Sequence, residues 1–532
     1  MSPRRALPHV AVGLLALVFA WACAAFAWQR GLATFADDSV SYLIMGQVLS
    51  PWQAASPAVA EAFAREAFYP PLFPLLLAIT GTAYDIALAH VLTALLVAAC
   101  LPCAYALGAR WLKGGWAAAA AVAVTALLPA MWINAKGILS EPLYCLLLLA
   151  TLLALEAQES GGKRLWALAL AMAAMAMTRT AALALVVAYA LWALTRRERP
   201  FAARAKALVP ALAAGVAYGA WVLIRPAESA DVNLQFLLEK AQGFLGAQGT
   251  GAAVAATLTR QANAGVEAWI GSLLLFWVEG RPVRVALAAA VGVLALAGMG
   301  LRIRAGKADG WMMAGYLATF LAWPFYDQMG RFLFPALPVL VLYAFLAVGA
   351  ALRALDRPAA AGHALLAVLI ASVAAPGLAF IHQRSGSPQR EAEIVDWYRT
   401  PDLAQARARA RVQLDLFADL EAIRERTRPE ARIMWVVPSY LALLAERRGM
   451  RAPASDLGPE AYREAVLRAR ADYVFVSAYH PRDTLSRSAW EAGIRALSGY
   501  AEVIQARKQE DGEISSVLFR VGPADRVAAN RD

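Results

Sequence analysis

The 532-residue sequence predicts a polytopic α-helical membrane protein of about eleven spans, followed by a C-terminal extracytoplasmic α/β domain. Three observations predict it. The chain is 60% hydrophobic and only 17% Asp, Glu, Lys or Arg, where an ordinary soluble domain carries about 25% charged residues. Apolar runs long enough to cross a hydrocarbon core, about 20 residues, recur from the N-terminus to residue 383. From about Ser385 the composition changes to charged amphipathic and alternating patterns.

The first run, Pro8 to Trp28, follows Arg4 and Arg5. Its ACAAFA stretch has the small-residue pattern of a signal-peptidase site. The many later spans favour instead a retained helix with a cytoplasmic N-terminus. Further spans are expected at about 83–109, 115–133, 140–156, 165–178, 180–195, 207–224, 283–301, 310–326, 331–352 and 362–383. The positive-inside rule supports this threading. Arg110 and Lys113, Lys163 and Arg164, Arg196 to Lys206, Arg302 to Lys307, and Arg353 with Arg357 all fall in loops placed inside. The formal charge of +11 is accounted for by these loops facing anionic lipid, and no nucleic-acid partner is expected.

AWIGSLLLFWVEG, residues 268–280, is apolar but short. A span there would turn Arg302, Arg304 and Lys307 outward, so an interfacial or re-entrant helix is expected, with Trp269 and Trp277 at headgroup depth. Residues 1–384 then form a multi-span domain with extracytoplasmic loops at 29–82 and 225–282, and residues 385–532 a soluble domain. In that tail, residues 403–429 read as a charged amphipathic helix, and 432–438 and 472–477 as buried strands. The segments 501–509 and 514–522 flank a Glu-Asp-Gly turn as an antiparallel hairpin, with helices at about 439–447 and 459–470. The tail is long enough for its own core and carries no Gly-rich phosphate loop and no metal-spaced His/Cys cluster.

The four cysteines, Cys23, Cys100, Cys103 and Cys145, all lie in apolar runs. Cys100-Leu-Pro-Cys103 has redox spacing, but no thioredoxin-like βαβ pattern surrounds it. Small apolar residues in a helix account for it.

Polar residues at membrane depth point to a cavity rather than to lipid. This threading puts a set of them on one outer face: Asp37 and Asp38; Asn134, Lys136 and Glu141; Thr178, Arg179 and Thr180; Glu279 and Arg281; Asp327, Gln328 and Arg331. Tyr42 follows Asp38 by one helical turn, on the same face. Each has a bland alternative. Asp37, Asp38 and Glu141 suit helix N-termini, and Arg331 suits an interfacial anchor. Taken together, a carboxylate can draw a proton from an acceptor hydroxyl or amine, and arginine forks can hold a departing phosphate.

The stretches ADDSVSYLIMG, FYPPLFPLLLA, LSEPLYCLLLLATLLALEA, MTRTAALALVVAYALWAL and GRFLFPALPVLVLYA occur in the order found in a known group. The chain resembles the polyprenyl-phosphate-sugar-dependent glycosyltransferases of the C-type superfamily, family 39 and its relatives. These include the protein O-mannosyltransferases, the lipid A aminoarabinose transferase and the rhizobial core-sugar transferases. The resemblance covers about residues 8 to 355. It implies Asp38 as catalytic base, with Asp37 beside it and Glu141 as the acid at the start of the fourth span. It also implies Tyr42 as the aromatic that follows the loop acid and Arg331 as facing the lipid phosphate; Tyr69, Arg179 and Lys136 are expected beside them as substrate-binding residues. Many members have Asp-Glu where this chain has Asp37-Asp38. That departure leaves open which Asp is the base and whether the pair binds a divalent metal.

The expected function is sugar transfer from a polyprenyl-phosphate donor to a lipid, lipopolysaccharide, protein or cell-wall glycan, on the outer face of a bacterial inner membrane. The alternatives are a transporter, which predicts internal repeats, and a non-catalytic lipid-glycan-binding scaffold of the same fold.

Overall fold

The computed structural model describes residues 3–32, 37–159, 165–196, 198, 200–229, 238, 251–275, 282–321, 328–385, 403–453, 457–477, 493–508, 512 and 514–521. It is a helical bundle with a small C-terminal sheet. The helices are α1 (Pro3–Ala27), α2 (Asp37–Val48), α3 (Pro57–Glu66), α4 (Leu72–Ile79), α5 (Ile86–Trp111), α6 (Gly115–Leu127), α7 (Pro129–Lys136), α8 (Glu141–Glu159), α9 (Leu165–Ala176), α10 (Ala182–Thr195), α11 (Phe201–Ala207) and α12 (Val209–Ile224). They continue as α13 (Gly251–Leu274), α14 (Pro282–Arg304), α15 (Ala308–Thr319), α16 (Met329–Leu333), α17 (Leu337–Ala354), α18 (Ala359–Ser385) and α19 (Leu403–Arg426).

Among the described residues, seven helices are long and apolar enough to cross a membrane, or eight if the bent pair α6 and α7 is one span. The other expected spans fall on the shorter helices α9, α10 and α15. The chain is a membrane protein. The span expected at 115–133 is broken: α6 and α7 meet at 57°. Pro129 starts α7 and forces Leu128 into an extended conformation, φ −64° and ψ 128°, because the residue before a proline is pushed out of the helical region. Gly298 brings α14 against the backbone of Tyr343 in α17, where an added Cβ would lie 1.9 Å from the Tyr343 carbonyl oxygen. Such close approach is the usual role of small residues between membrane helices.

The short apolar segment expected at the interface is the C-terminal part of α13. Trp269 does not sit at a surface. It is buried, donates to the Ala288 carbonyl at 2.8 Å and covers Gly292. Trp277 lies outside the described residues.

In the tail, β1 (Arg432–Trp435), α20 (Pro438–Leu444), β2 (Arg448–Arg451), α21 (Pro459–Arg468), β3 (Tyr473–Ser477), β4 (Glu502–Lys508) and β5 (Ile514–Arg520) follow α19. The sheet order is β2-β1-β3-β5-β4. β1 is parallel to β2 and β3, and β5 is antiparallel to β3 and β4. The sequence reading missed β2, whose Arg-Gly-Met-Arg lacks strand residues and is held by pairing to β1. Side chains alternate across the sheet. Met434, Val474, Val476, Val517 and Phe519 pack with α21 residues on one face. Ile433, Trp435, Tyr473, Phe475 and Leu518 enter the other core, which also holds Val40, Tyr42, Leu43 and Ile44 of α2 and Val59 and Ala62 of α3. The tail and the first loop therefore share one apolar core.

Candidate active site

α2 begins on two acids, where the partial positive charge of a helix N-terminus favours them. Val40, Leu43 and Ile44 are fully buried and set the helix's rotation, which puts Asp38 and Tyr42 on one side. Gly46 allows close packing on α4 and the turn that follows it, since a Cβ there would lie 2.9 Å from the Ala83 Cβ and 3.3 Å from the Pro74 carbonyl oxygen. The Tyr69-Pro70-Pro71 turn then launches α4, and it is pinned twice. The Leu72 amide donates to the Met177 carbonyl at 2.9 Å, and Arg225 donates to the Phe68 carbonyl at 3.3 Å. The first pin ties the Tyr69 turn directly to the Arg179 turn between α9 and α10.

Four charged residues meet at this point. Arg331 Nη2 lies 2.5 Å from Asp38 Oδ2, and Arg331 Nε also pairs with Glu141 Oε1. Arg179 Nη1 lies 2.8 Å from the same Glu141 oxygen. Tyr69 donates its hydroxyl to Asp38 Oδ1, and its ring sits 4.7 Å from that of Tyr42. Tyr42 OH pairs with Ser140 Oγ at 2.8 Å, and Ser140 Oγ also accepts from Arg179 at 2.9 Å. Glu141 is buried, and its Oε2 has no hydrogen-bond partner among the described residues. Its place at the first position of α8 is favoured by the helix dipole.

Burial opposes the charge on Asp38. The Arg331 guanidinium, the Tyr69 hydroxyl and, more weakly, Arg179 outweigh it and hold the carboxyl below its usual range. Burial, and then the Asp38 charge, push the Tyr69 phenol well up, so that it stays a donor. The result is an ionised carboxylate with both oxygens occupied, facing two arginines.

Asp38, Glu141, Tyr42, Tyr69, Arg179 and Arg331 are thus brought together. Asp37 starts α2, but its side chain lies outside the described residues, as do Glu279, Arg281 and Asp327. Lys136 is fully buried, yet it is placed over the Phe26 ring at 5.0 Å and beside His90. Asn134 folds its amide back to the Ala130 carbonyl of its own helix, and Thr178 does the same to Ala174. Thr180 faces Tyr218 at 3.4 Å, and Gln328 is exposed. Sequence reasoning missed Ser140. Its signal was its position directly before Glu141-Pro142, where it reads as an ordinary helix cap.

Among the described residues no three His, Cys, Asp or Glu side chains gather as a metal site. Asp38, with a guanidinium and a phenol on its oxygens, does not fit as a metal ligand in this arrangement.

No protein-family model matches the sequence, and no curated relative matches it. Solved structures do. ArnT from Cupriavidus metallidurans bound to undecaprenyl phosphate aligns with a TM-score of 0.55 at 13% identity, over 96% of this chain and 99% of that one. The same protein in the apo state gives 0.51 at 12%, over 96% and 98%. The Archaeoglobus fulgidus oligosaccharyltransferase tethered to an acceptor peptide gives 0.50 at 12%, over 97% of this chain and 74% of that one. The chain shares the membrane fold of these structures.

Proposed function

We propose that the chain is a membrane glycosyltransferase that moves a sugar from a polyprenyl-phosphate donor to an acceptor hydroxyl or amine on the extracytoplasmic side of a bacterial inner membrane. The observation that carries the reading is the four-charge cluster at the N-terminal end of α8, where the carboxylates of Asp38 and Glu141 face Arg179 and Arg331 beside the first loop. The ArnT structure that aligns with this chain holds undecaprenyl phosphate, which supports a lipid-phosphate donor.

In this reading, the donor phosphate binds Arg331 and Arg179 and competes with Asp38 and Glu141 for them. Guanidinium forks suit phosphate oxygens. Asp38, released from Arg331, becomes a stronger base and takes the proton of the acceptor O–H or N–H. The acceptor atom forms a bond to the anomeric carbon as the bond to the phosphate oxygen breaks. The electron pair leaves with the polyprenyl phosphate, whose added negative charge the arginines neutralise. Attack from the face opposite the phosphate inverts the anomeric carbon. Substrate binding thus switches on the base, and Tyr42 and Tyr69 form an aromatic wall beside the reacting sugar. Asp37 is proposed as a second carboxylate of the site, and Lys136 as a more distant contributor to donor binding.

The test compares surface glycans from cells with and without the protein by mass spectrometry, and then from cells carrying Asp38→Asn. Loss of one glycosylated species in both supports the reading. An unchanged glycan profile without the protein, or full transfer by Asp38→Asn, Asp37→Asn and the double variant, sinks it.

A further inference from the structure

The tail's role is not explained by the charged cluster, and Glu66 offers an account of it. Glu66 is the last residue of α3, an end where the helix dipole disfavours a carboxylate. It accepts two hydroxyl hydrogen bonds there. One comes from Ser41 of α2 to Oε2, the other from Ser439 of α20 in the tail to Oε1. Ser41 is fully buried and lies one helical turn from Asp38.

The contacts around Glu66 hold α3 to the tail. Arg65 donates to the Gly449 carbonyl at 3.1 Å, and Arg448 of β2 lies 3.5 Å from Glu61. Gly449 packs so closely on the start of α20 that a Cβ would lie 2.2 Å from the Pro438 carbonyl oxygen. Ser439 is therefore carried by a rigidly packed turn. On its other sides α2 is held by the Tyr42–Ser140 hydrogen bond and by the close approach of Gly46 to α4.

We propose that Glu66 is a positioning residue: it passes the position of the tail, through Ser439, to Ser41 and so to Asp38. The tail is then part of the site's framework. The proposal rests on the transferase reading for its consequence, and on geometry alone for the coupling.

The coupling is tested on the full-length chain in nanodiscs by hydrogen-exchange mass spectrometry. Glu66→Ala and Ser439→Ala are expected to speed exchange of the amides of residues 37–48 about tenfold or more, and to leave α8 and β3 within about twofold. Glu66→Gln is expected to restore protection, since its amide can accept from one serine and donate to the other. Unchanged exchange in α2, or an equal rise in α2, α8 and β3, would overturn the proposal. If Glu66→Ala does not accumulate, Ser439→Ala decides alone.

In cells, the glycan made by the wild type is expected to fall about 10- to 100-fold with Glu66→Ala, as small misplacements of catalytic groups cause. Binding of undecaprenyl phosphate should stay within about twofold. A wild-type chain that makes no glycan product overturns the transferase reading and leaves the exchange result to decide Glu66.

Discussion

Both ends of α8 carry buried ion clusters, about 22 Å apart along one helix, and they are built on opposite terms. At the C-terminal end, Arg302 holds Asp309 by both oxygens at 2.7 to 3.1 Å and Glu156 at 3.0 Å. Tyr343 adds a hydrogen bond to Asp309 and Trp111 one to Glu156. Lys307 pairs with Glu159 at 2.7 Å. Arg302 also lies over the Trp111 ring, which stacks on Tyr343. Acids at a helix C-terminus are unfavourable alone, and here each is neutralised. At the N-terminal end, Glu141 is well placed for the dipole, yet among the described residues Oε2 lacks a partner, as does the buried Tyr144 hydroxyl one turn on. A closed cluster serves as scaffold. In the proposed reading, the open cluster is the one whose Arg331–Asp38 pair gives way to the donor phosphate.

Substitutions can break this contrast. The largest effect is expected from Asp38→Asn, which keeps the shape and removes the proposed base. Transfer should fall about 10²- to 10⁴-fold, read as glycan product per membrane-inserted protein, while the melting temperature falls by less than it does with Arg302→Met. Arg302→Met should do the reverse. It leaves Asp309 and Glu156 buried without their cation, at a cost of about 3–5 kcal/mol. Accumulation and melting temperature should drop, while the surviving protein transfers normally. Equal loss of activity per folded molecule at both ends would erase the distinction.

Glu141→Gln sharpens it. The change releases charge on Arg179 and Arg331, so undecaprenyl phosphate should bind about three- to tenfold tighter, equivalent to about 0.5–1.5 kcal/mol. Product yield should fall at the same time. Unchanged or weaker binding would argue against these arginines as the phosphate site.

The pH dependence has a defined sign. The folded carboxyl of Asp38 lies below its usual value, so its ion pair contributes stability above the unfolded value near pH 4. That contribution is lost as pH falls through the lower folded value. The melting-temperature difference between wild type and Asp38→Asn should therefore be flat from about pH 6 to 8 and shrink only in acid. The smallest effect is expected at the exposed Arg520–Glu502 pair of the hairpin, 3.1 Å apart. Glu502→Gln should leave the melting temperature essentially unchanged, since an exposed pair is screened by solvent and salt.

Much of this was legible in the chain order of residues. Asp38, Tyr42, Glu141, Arg179 and Arg331 were recognisable because polar side chains are rare beside apolar runs and these fell on one face. Lys136 passed the same filter, yet the structure sets it against Phe26 and His90, since α7 turns away after Pro129. Ser140 and Glu66 were invisible. A serine before a helix and a glutamate at the end of one are ordinary residues until a partner from a distant element arrives.

By itself, the sequence determined what local chemistry dictates. Apolar length and loop charge marked where helices lie, alternation marked the sheet strands, and acids beside apolar runs marked one end of the bundle as costly to build. The tertiary structure alone decided which carboxylate meets which guanidinium, the 57° break between α6 and α7, and the single core shared by α2, α3 and the tail. Those outcomes depend on packing between segments far apart in the chain. There the geometry of whole helix faces, rather than the identity of any one residue, sets which groups come within reach.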